Sequence, residues 1–74
     1  MLENRYWITN TRYYRALLHR DLFGMIVMST CWGGRENRLG GIKTLCFDDE
    51  AQAQLALERL STTRKAHGYR LLKE

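Results

Sequence analysis

The hydrophobic period of this chain changes once, at Asp48, and this change limits the fold more than any other feature. Before Asp48, apolar and polar residues alternate in short segments; after it, apolar residues recur every three or four positions. The first pattern predicts strands and the second an amphipathic helix. We therefore expect an α+β fold, in which an antiparallel meander of four to five strands has one helix packed on one face.

Five segments are predicted to be strands by their alternation or by their aromatic and β-branched residues. Asn10 and Thr11 favour a turn after the first segment, and Asp21 and Gly24 favour one after the second. The stretch 33–41 carries four of the six glycines and is expected to be a loop with mobile glycine hinges. The expected strands are 5–9, 12–20, 25–32, 42–47 and 69–72.

One helix is expected from about residue 49 to about residue 67. Asp48 is the predicted N-cap, with Asp49 and Glu50 in the first turn, where acidic side chains suit the helix dipole. Gly68 is expected to end the helix. A single apolar stripe is predicted to face the sheet, formed by Ala53, Ala56, Leu57 and Leu60.

The charge balance favours an anionic partner. The 74 residues carry a formal net charge of +4, and nine of the twelve basic residues are arginines, whose planar guanidinium binds phosphate through two hydrogen bonds. The length predicts a single domain, 1–74. Neither His19 nor His67 has acidic or thiol neighbours at ligand or catalytic spacing, so we expect no enzyme, metal or other cofactor.

The two cysteines, Cys31 and Cys46, are too few for a disulfide framework or a tetrahedral zinc site. They are expected to lie near each other across the third and fourth strands, as two packed free thiols in a reducing compartment. A cross-strand disulfide is the alternative. The sequence also has no apolar segment of membrane-spanning length, so we expect a cytoplasmic protein.

Candidate nucleic-acid contacts cluster at the glycine-rich loop. Arg35 and Arg38 could bind phosphate there together with backbone amides, or could belong to a solvated turn. Trp32 could stack on a sugar or base, or could close the end of the core. Arg12 and Lys43 are the candidate contacts on the adjacent strands. Arg12 and Arg20 alternate onto the same strand face.

The sequence around this loop resembles a WGR domain, a family named for a Trp-Gly-Arg signature. The likeness begins with Trp32-Gly33-Gly34 and extends over nearly the whole chain, in an order and spacing more specific than any one motif. Further matching segments are Arg12-Tyr13-Tyr14-Arg15, Asp21-Leu22-Phe23-Gly24, Phe47-Asp48 and Gly68-Tyr69. Such domains occur in DNA-dependent poly(ADP-ribose) polymerases and as small stand-alone bacterial proteins. In the polymerases the signature Trp and Arg contact DNA near a break, and the resemblance implies that role for Trp32.

The chain departs from the family signature at one position, because Gly34 stands where the signature has arginine. Two alternatives follow. Either an insertion of one residue lets Arg35 take the role, or Arg38 on the same loop does. The resemblance covers the WGR module and not a catalytic domain, so polymerase activity is not inferred from it.

Two functions are compatible with these patterns. In the first, the chain is a small module that contacts DNA phosphates through the loop 33–41 without strong sequence preference. In the alternative, it binds a protein partner or a second copy through an apolar patch around Leu22 and Phe23, bulky residues placed at a turn.

Overall fold

The computed structural model describes residues 2–36 and 40–73 and confirms the expected α+β architecture. The elements are β1 (Glu3–Ile8), β2 (Arg12–Arg20), β3 (Ile26–Gly34), β4 (Gly40–Phe47), α1 (Glu50–Ala66) and β5 (Arg70–Lys73). The strands form one five-stranded antiparallel sheet with the order β4-β3-β2-β1-β5. The first four strands form the expected meander, and the last strand adds to the far edge beside β1.

The turn between β2 and β3 is set by Asp21 and Gly24. The carboxylate oxygen Oδ1 of Asp21 accepts hydrogen bonds from the backbone N–H groups of Phe23 at 2.9 Å and Met25 at 3.0 Å. Gly24 has a φ of +82°, which a glycine adopts without the steric strain of a side chain. Met25 belongs to this turn, and the third strand begins at Ile26 instead of Met25.

The prediction of mobile glycine hinges is wrong. Gly33 and Gly34 end β3, and Gly40 and Gly41 begin β4, so both glycine pairs are strand residues. Gly33 pairs directly with Gly40 in the β3–β4 ladder. The two strands therefore extend further than the sequence indicated, and the connection between them is confined to residues 35–39.

Helix α1 begins one residue later than predicted because its N-cap is Asp49 and not Asp48. The Asp49 carboxylate accepts a hydrogen bond of 2.8 Å from the backbone N–H of Gln52, which satisfies one of the free donors of the first turn. The predicted stripe is confirmed, with Ala53 and Leu57 buried and Ala56 and Leu60 partly buried. It packs on sheet residues Trp7, Ala16, Leu18, Ile26 and Met28.

A buried arginine ties the helix to β1. Arg5 is only 7% exposed, and its Nη2 atom lies 2.7 Å from Glu58 Oε1 and 3.0 Å from Glu3 Oε1. Burial disfavours the charged guanidinium, but the hydrogen bonds to Glu58 and Glu3 outweigh it and raise the pKa of Arg5. The same hydrogen bond and charge lower the pKa of the Glu58 carboxyl.

The cysteines do not face each other. The β3–β4 register pairs Cys31 with Ile42 and Cys46 with Val27, so the two cysteines are four rows apart. Both thiols are free, as expected, but Cys46 is exposed instead of packed. A cross-strand disulfide between them is excluded by this register. Along the described ranges, no helix is long and apolar enough to cross a membrane.

Candidate nucleic-acid interface

A row of large side chains crosses the sheet on its helix side. Cross-strand pairing aligns Trp7 of β1 with Tyr14 of β2, Trp32 of β3 and Gly41 of β4. The Trp32 indole stacks on the Tyr14 ring, with a centroid distance of 5.8 Å and an interplanar angle of 11°. Trp7 is only 2% exposed, whereas Tyr14 and Trp32 are partly exposed. The row therefore leads from the core to an accessible aromatic surface.

Two glycines of β4 leave room for Trp32. A Cβ atom at Gly41 would lie 2.7 Å from Cζ2 of the indole, and one at Gly40 would collide with the backbone carbonyl of Trp32. Only a glycine at position 41 lets the ring lie flat across the edge strand in this position. The β4 glycines thus hold the aromatic surface in place, a role that their spacing in the sequence did not reveal.

The end of α1 adds Arg64 and Tyr69 to this surface. The backbone N–H of Tyr69 donates to the Arg64 carbonyl at 3.0 Å, and that of Gly68 donates to Lys65 at 3.1 Å. With Gly68 at a φ of +85°, these two bonds form a Schellman motif. This motif sets Tyr69 against Arg64, whose guanidinium carbon lies 5.2 Å from the Tyr69 ring centre and 4.5 Å from that of Tyr14.

Three cations and three aromatic rings meet in one cavity of about 410 Å³. It is lined by Arg12, Tyr14, Trp32, Lys43, Arg64 and Tyr69. A neighbouring open cleft of about 500 Å³ shares Arg12, Trp32 and Tyr69 and is otherwise bounded by Thr11 and three glycines, Gly33, Gly34 and Gly40. We call the side chains that line the first cavity the cationic end of the molecule.

The cations of this end are available to an external anion. Within residues 2–36 and 40–73, the ion pairs formed with carboxylates involve Arg5 and Arg20, and none involves Arg12, Lys43 or Arg64. Arg64 is held by two aromatic rings instead, which orient the guanidinium without neutralising its charge. No described carboxylate therefore neutralises these three charges.

The predicted site residues are only partly brought together. Trp32, Arg12 and Lys43 line the same cavity, where the partly exposed indole packs on Tyr14. Whether Trp32 contacts a sugar or base stays a prediction. Arg35 is exposed and lines neither opening, and its Nη1 atom donates to the Thr9 carbonyl at 3.2 Å. Arg38 lies outside the described residues. Its role stays a prediction.

Arg12 and Arg20 share a strand face, as predicted, but they do not share a site. They stand at opposite ends of nine-residue β2, about 27 Å apart along an extended strand. Arg20 instead pairs with Glu50 at the start of α1, at 3.5 Å.

Sequence reasoning missed Tyr14, Arg64 and Tyr69. The sequence places Arg64 in the expected helix and Tyr69 in the expected closing strand, and neither is near the loop in sequence. The available signal was Gly68: a glycine at C′ of a helix brings the residue after it back against the residue five positions earlier, which joins Tyr69 to Arg64. Tyr14 could be assigned to the site only from the strand register, which pairs it with Trp32.

The WGR family model matches residues 3–74. Since this covers essentially the whole chain, the chain belongs to the WGR domain family, which confirms the resemblance. WGR domains are nucleic-acid-binding modules and not catalytic domains. Neither a curated protein nor a solved structure matches the chain.

Proposed function

We propose that this WGR domain binds DNA at its cationic end, through the phosphate backbone and without strong sequence preference. The observation that carries the proposal is the meeting of Arg12, Lys43 and Arg64, which form no ion pair with a described carboxylate, around the exposed edges of Trp32 and Tyr69. Phosphate contacts position a nucleic acid but do not read its bases. The aromatic rings add a stacking surface that accepts any sugar or base.

We infer that Arg12 supplies the charge that the family signature places at position 34. Arg12 pairs directly with Gly34 across the β2–β3 ladder, on the same face as Trp32. The Arg12 side chain therefore begins on the neighbouring strand, directly beside the position where the family signature has its arginine. Arg35 and Arg38 would extend the contact along the loop.

Binding of fluorescently labelled duplex, nicked and single-stranded DNA, measured by anisotropy at several salt concentrations, tests the proposal. On duplex DNA, the logarithm of affinity should fall linearly with the logarithm of salt concentration, by about 0.9 per phosphate contacted. Changing Arg12→Ala with Lys43→Ala should weaken binding and flatten this slope by up to about two units.

A charge-matched control separates the site from net charge. Arg15 and Arg70 alternate onto the opposite face of the sheet from Trp32, so Arg15→Ala with Arg70→Ala removes the same charge elsewhere. If both double variants lose affinity equally, or if the wild-type domain shows no salt-sensitive binding at micromolar concentration, the proposal is wrong.

A gain-of-function variant tests the role inferred for Arg12. Arg12→Ala should weaken DNA binding, and adding Gly34→Arg should restore it by returning a guanidinium to the signature position. A double variant that folds, as shown by circular dichroism, but binds no better than Arg12→Ala would contradict the inference.

A second candidate function is protein binding at the turn between β2 and β3, because Leu22 is 99% exposed and Phe23 is 90% exposed. We call residues 21–24 the tip. Asp21 and Gly24 fix the backbone of this turn, from which the two apolar side chains project into solvent. A photo-crosslinking amino acid at position 23 should form a specific adduct in cells, whereas one at exposed Thr62 should not. Equal labelling from both positions would contradict this function.

A further inference from the structure

The two edges of the sheet are built differently. Edge strands expose unpaired backbone N–H and C=O groups, and proteins usually protect them with short strands, bulges, charges or proline. β5 has such protection: it is four residues long, it begins with Arg70, and its pairing with β1 shifts register between Tyr6 and Trp7. In the described residues, the opposite edge strand β4 has one such device, a single lysine.

β4 is a long, regular and nearly uncharged edge. It has eight residues and pairs with β3 without a register shift from Ile26↔Phe47 to Gly33↔Gly40. Lys43 is its only charged residue and the chain contains no proline. In the part of the chain that the structure describes, β4 has a neighbour on its β3 side alone. Ile42, on the face away from the helix, is 79% exposed.

We propose that β4 pairs with β4 of a second copy, antiparallel about a two-fold axis at Thr44, to form a continuous ten-stranded sheet. This axis places Ile42 opposite Cys46 of the other copy and Lys43 opposite Leu45. An axis at Lys43 would instead place two like charges opposite each other, which destabilises a strand pair.

The strand is complementary to itself in this register. One face of β4 carries Ile42, Thr44 and Cys46. On this face the pairing buries the highly exposed Ile42 side chain against Cys46 of the second copy. On the other face, Phe47 comes opposite Gly41 of the second copy, a residue that adds no side chain of its own to the interface. Because the axis is perpendicular to the sheet, both helices and both cationic ends lie on the same face of the dimer.

One strand pair makes a small interface. Stable complexes generally bury about 1,200 Å² or more, and a pair of seven-residue segments with few large side chains is at or below this size. We therefore expect a weak dimer with a dissociation constant of about 10 μM or more. The proposal does not rest on DNA binding, because the backbone of β4 makes the strand pairing. Lys43 is the one β4 residue that also lines the cavity, and it comes opposite an uncharged residue, Leu45 of the second copy.

Sedimentation velocity with a pair of opposite-charge variants tests the inference. The wild-type mass should rise from one chain towards two between about 10 μM and about 1 mM. Thr44→Lys and Thr44→Glu each place like charges at the axis, so each variant alone should stay monomeric. An equimolar mixture should form a heterodimer, because the charges at the axis are then opposite.

The matched controls are Thr62→Lys and Thr62→Glu, which place the same charges on an exposed position of the helix and should associate like the wild type. Circular dichroism checks that every variant is folded. A wild-type protein that is monomeric throughout the range overturns the proposal, as does a Thr44 variant that dimerises like the wild type. A mixture that remains monomeric overturns the register centred on Thr44.

Discussion

The two ends of the β2–β3 hairpin present opposite kinds of surface. At the cationic end, aromatic rings pack on one another and on the charged guanidinium of Arg64. At the tip, the apolar side chains of Leu22 and Phe23 project almost fully into solvent. The start of α1 adds acidic residues near the tip, since Phe47 pairs with Ile26 and is followed directly by Asp48, Asp49 and Glu50.

This difference leads us to expect two kinds of recognition on one small sheet. We expect the cationic end to attract phosphate, and the carboxylates near the tip, one of which pairs with Arg20, to disfavour it there. The exposed apolar side chains of the tip suit a protein surface instead. Each end depends on a glycine with positive φ, Gly68 at the cationic end and Gly24 at the tip, which provides a matched pair for mutation.

The largest expected effect comes from the core that both ends share. Leu57 is buried between the helix and the sheet, so Leu57→Ala should reduce the free energy of unfolding by about 2–4 kcal/mol. Gln54→Ala, on the same helix but outside the apolar stripe, should change it by less than about 0.5 kcal/mol. Chemical denaturation measures both. Equal losses would show that the helix face is wrongly assigned.

The two glycines should differ in function and not in stability. A side chain at φ near +85° is strained, and nothing lies within 4 Å of a Cβ at either position. Gly68→Ala and Gly24→Ala should therefore each cost about 1–2 kcal/mol. Only Gly68→Ala should weaken DNA binding, measured where both variants are folded, because it displaces Tyr69 from Arg64. Equal DNA affinities for the two variants would contradict the comparison.

Lowering the pH should weaken the Arg5–Glu58 ion pair, which lies between the two ends. Since the pKa of Glu58 is lowered in the folded state, its stabilising contribution is complete above the unfolded value of about 4.3. It is lost as the pH falls through the lower folded value. Thermal melts should show wild type more stable than Glu58→Gln near neutral pH, with the difference disappearing in acid. A constant difference would contradict this assignment.

The smallest expected effect is that of the tip on stability and on DNA binding. Leu22→Ser with Phe23→Ser removes side chains that are already in solvent, so the free energy of unfolding should change by no more than about 0.5 kcal/mol. DNA affinity should be unchanged. A clear loss of affinity would mean that the tip contacts DNA, and the separation of the two ends would then fail.

The fold could be predicted largely from local patterns, whereas the site could not. Alternation of period two and the stripe from Ala53 to Leu60 give the strands, the helix and its buried face, because these signals depend on near neighbours in the chain. The helix begins one residue later than predicted because two consecutive aspartates, Asp48 and Asp49, are equally suitable N-caps by residue type. Only geometry decides between them.

The site residues required information about strand register. The cationic end joins Arg12, Trp32, Lys43 and Arg64, which are far apart in sequence and are aligned by three strands and a helix end. The glycines at 33–34 and 40–41 were interpreted as a flexible loop, since composition alone does not show that Trp32 needs space across β4. That space exists only once β3 and β4 are paired.

The most direct test of the account is a titration of the isotope-labelled domain with a short DNA duplex, observed by nuclear magnetic resonance. The two tryptophan indole N–H signals provide an internal comparison, because Trp32 lines the cavity of the cationic end and Trp7 is buried. The Trp32 signal and the Tyr69 amide should shift, while the Trp7 indole and the amides of the tip should not. Shifts centred on Leu22, Phe23 and Gly24, with an unchanged Trp32 indole, would contradict the assignment of the cationic end as the DNA-binding surface.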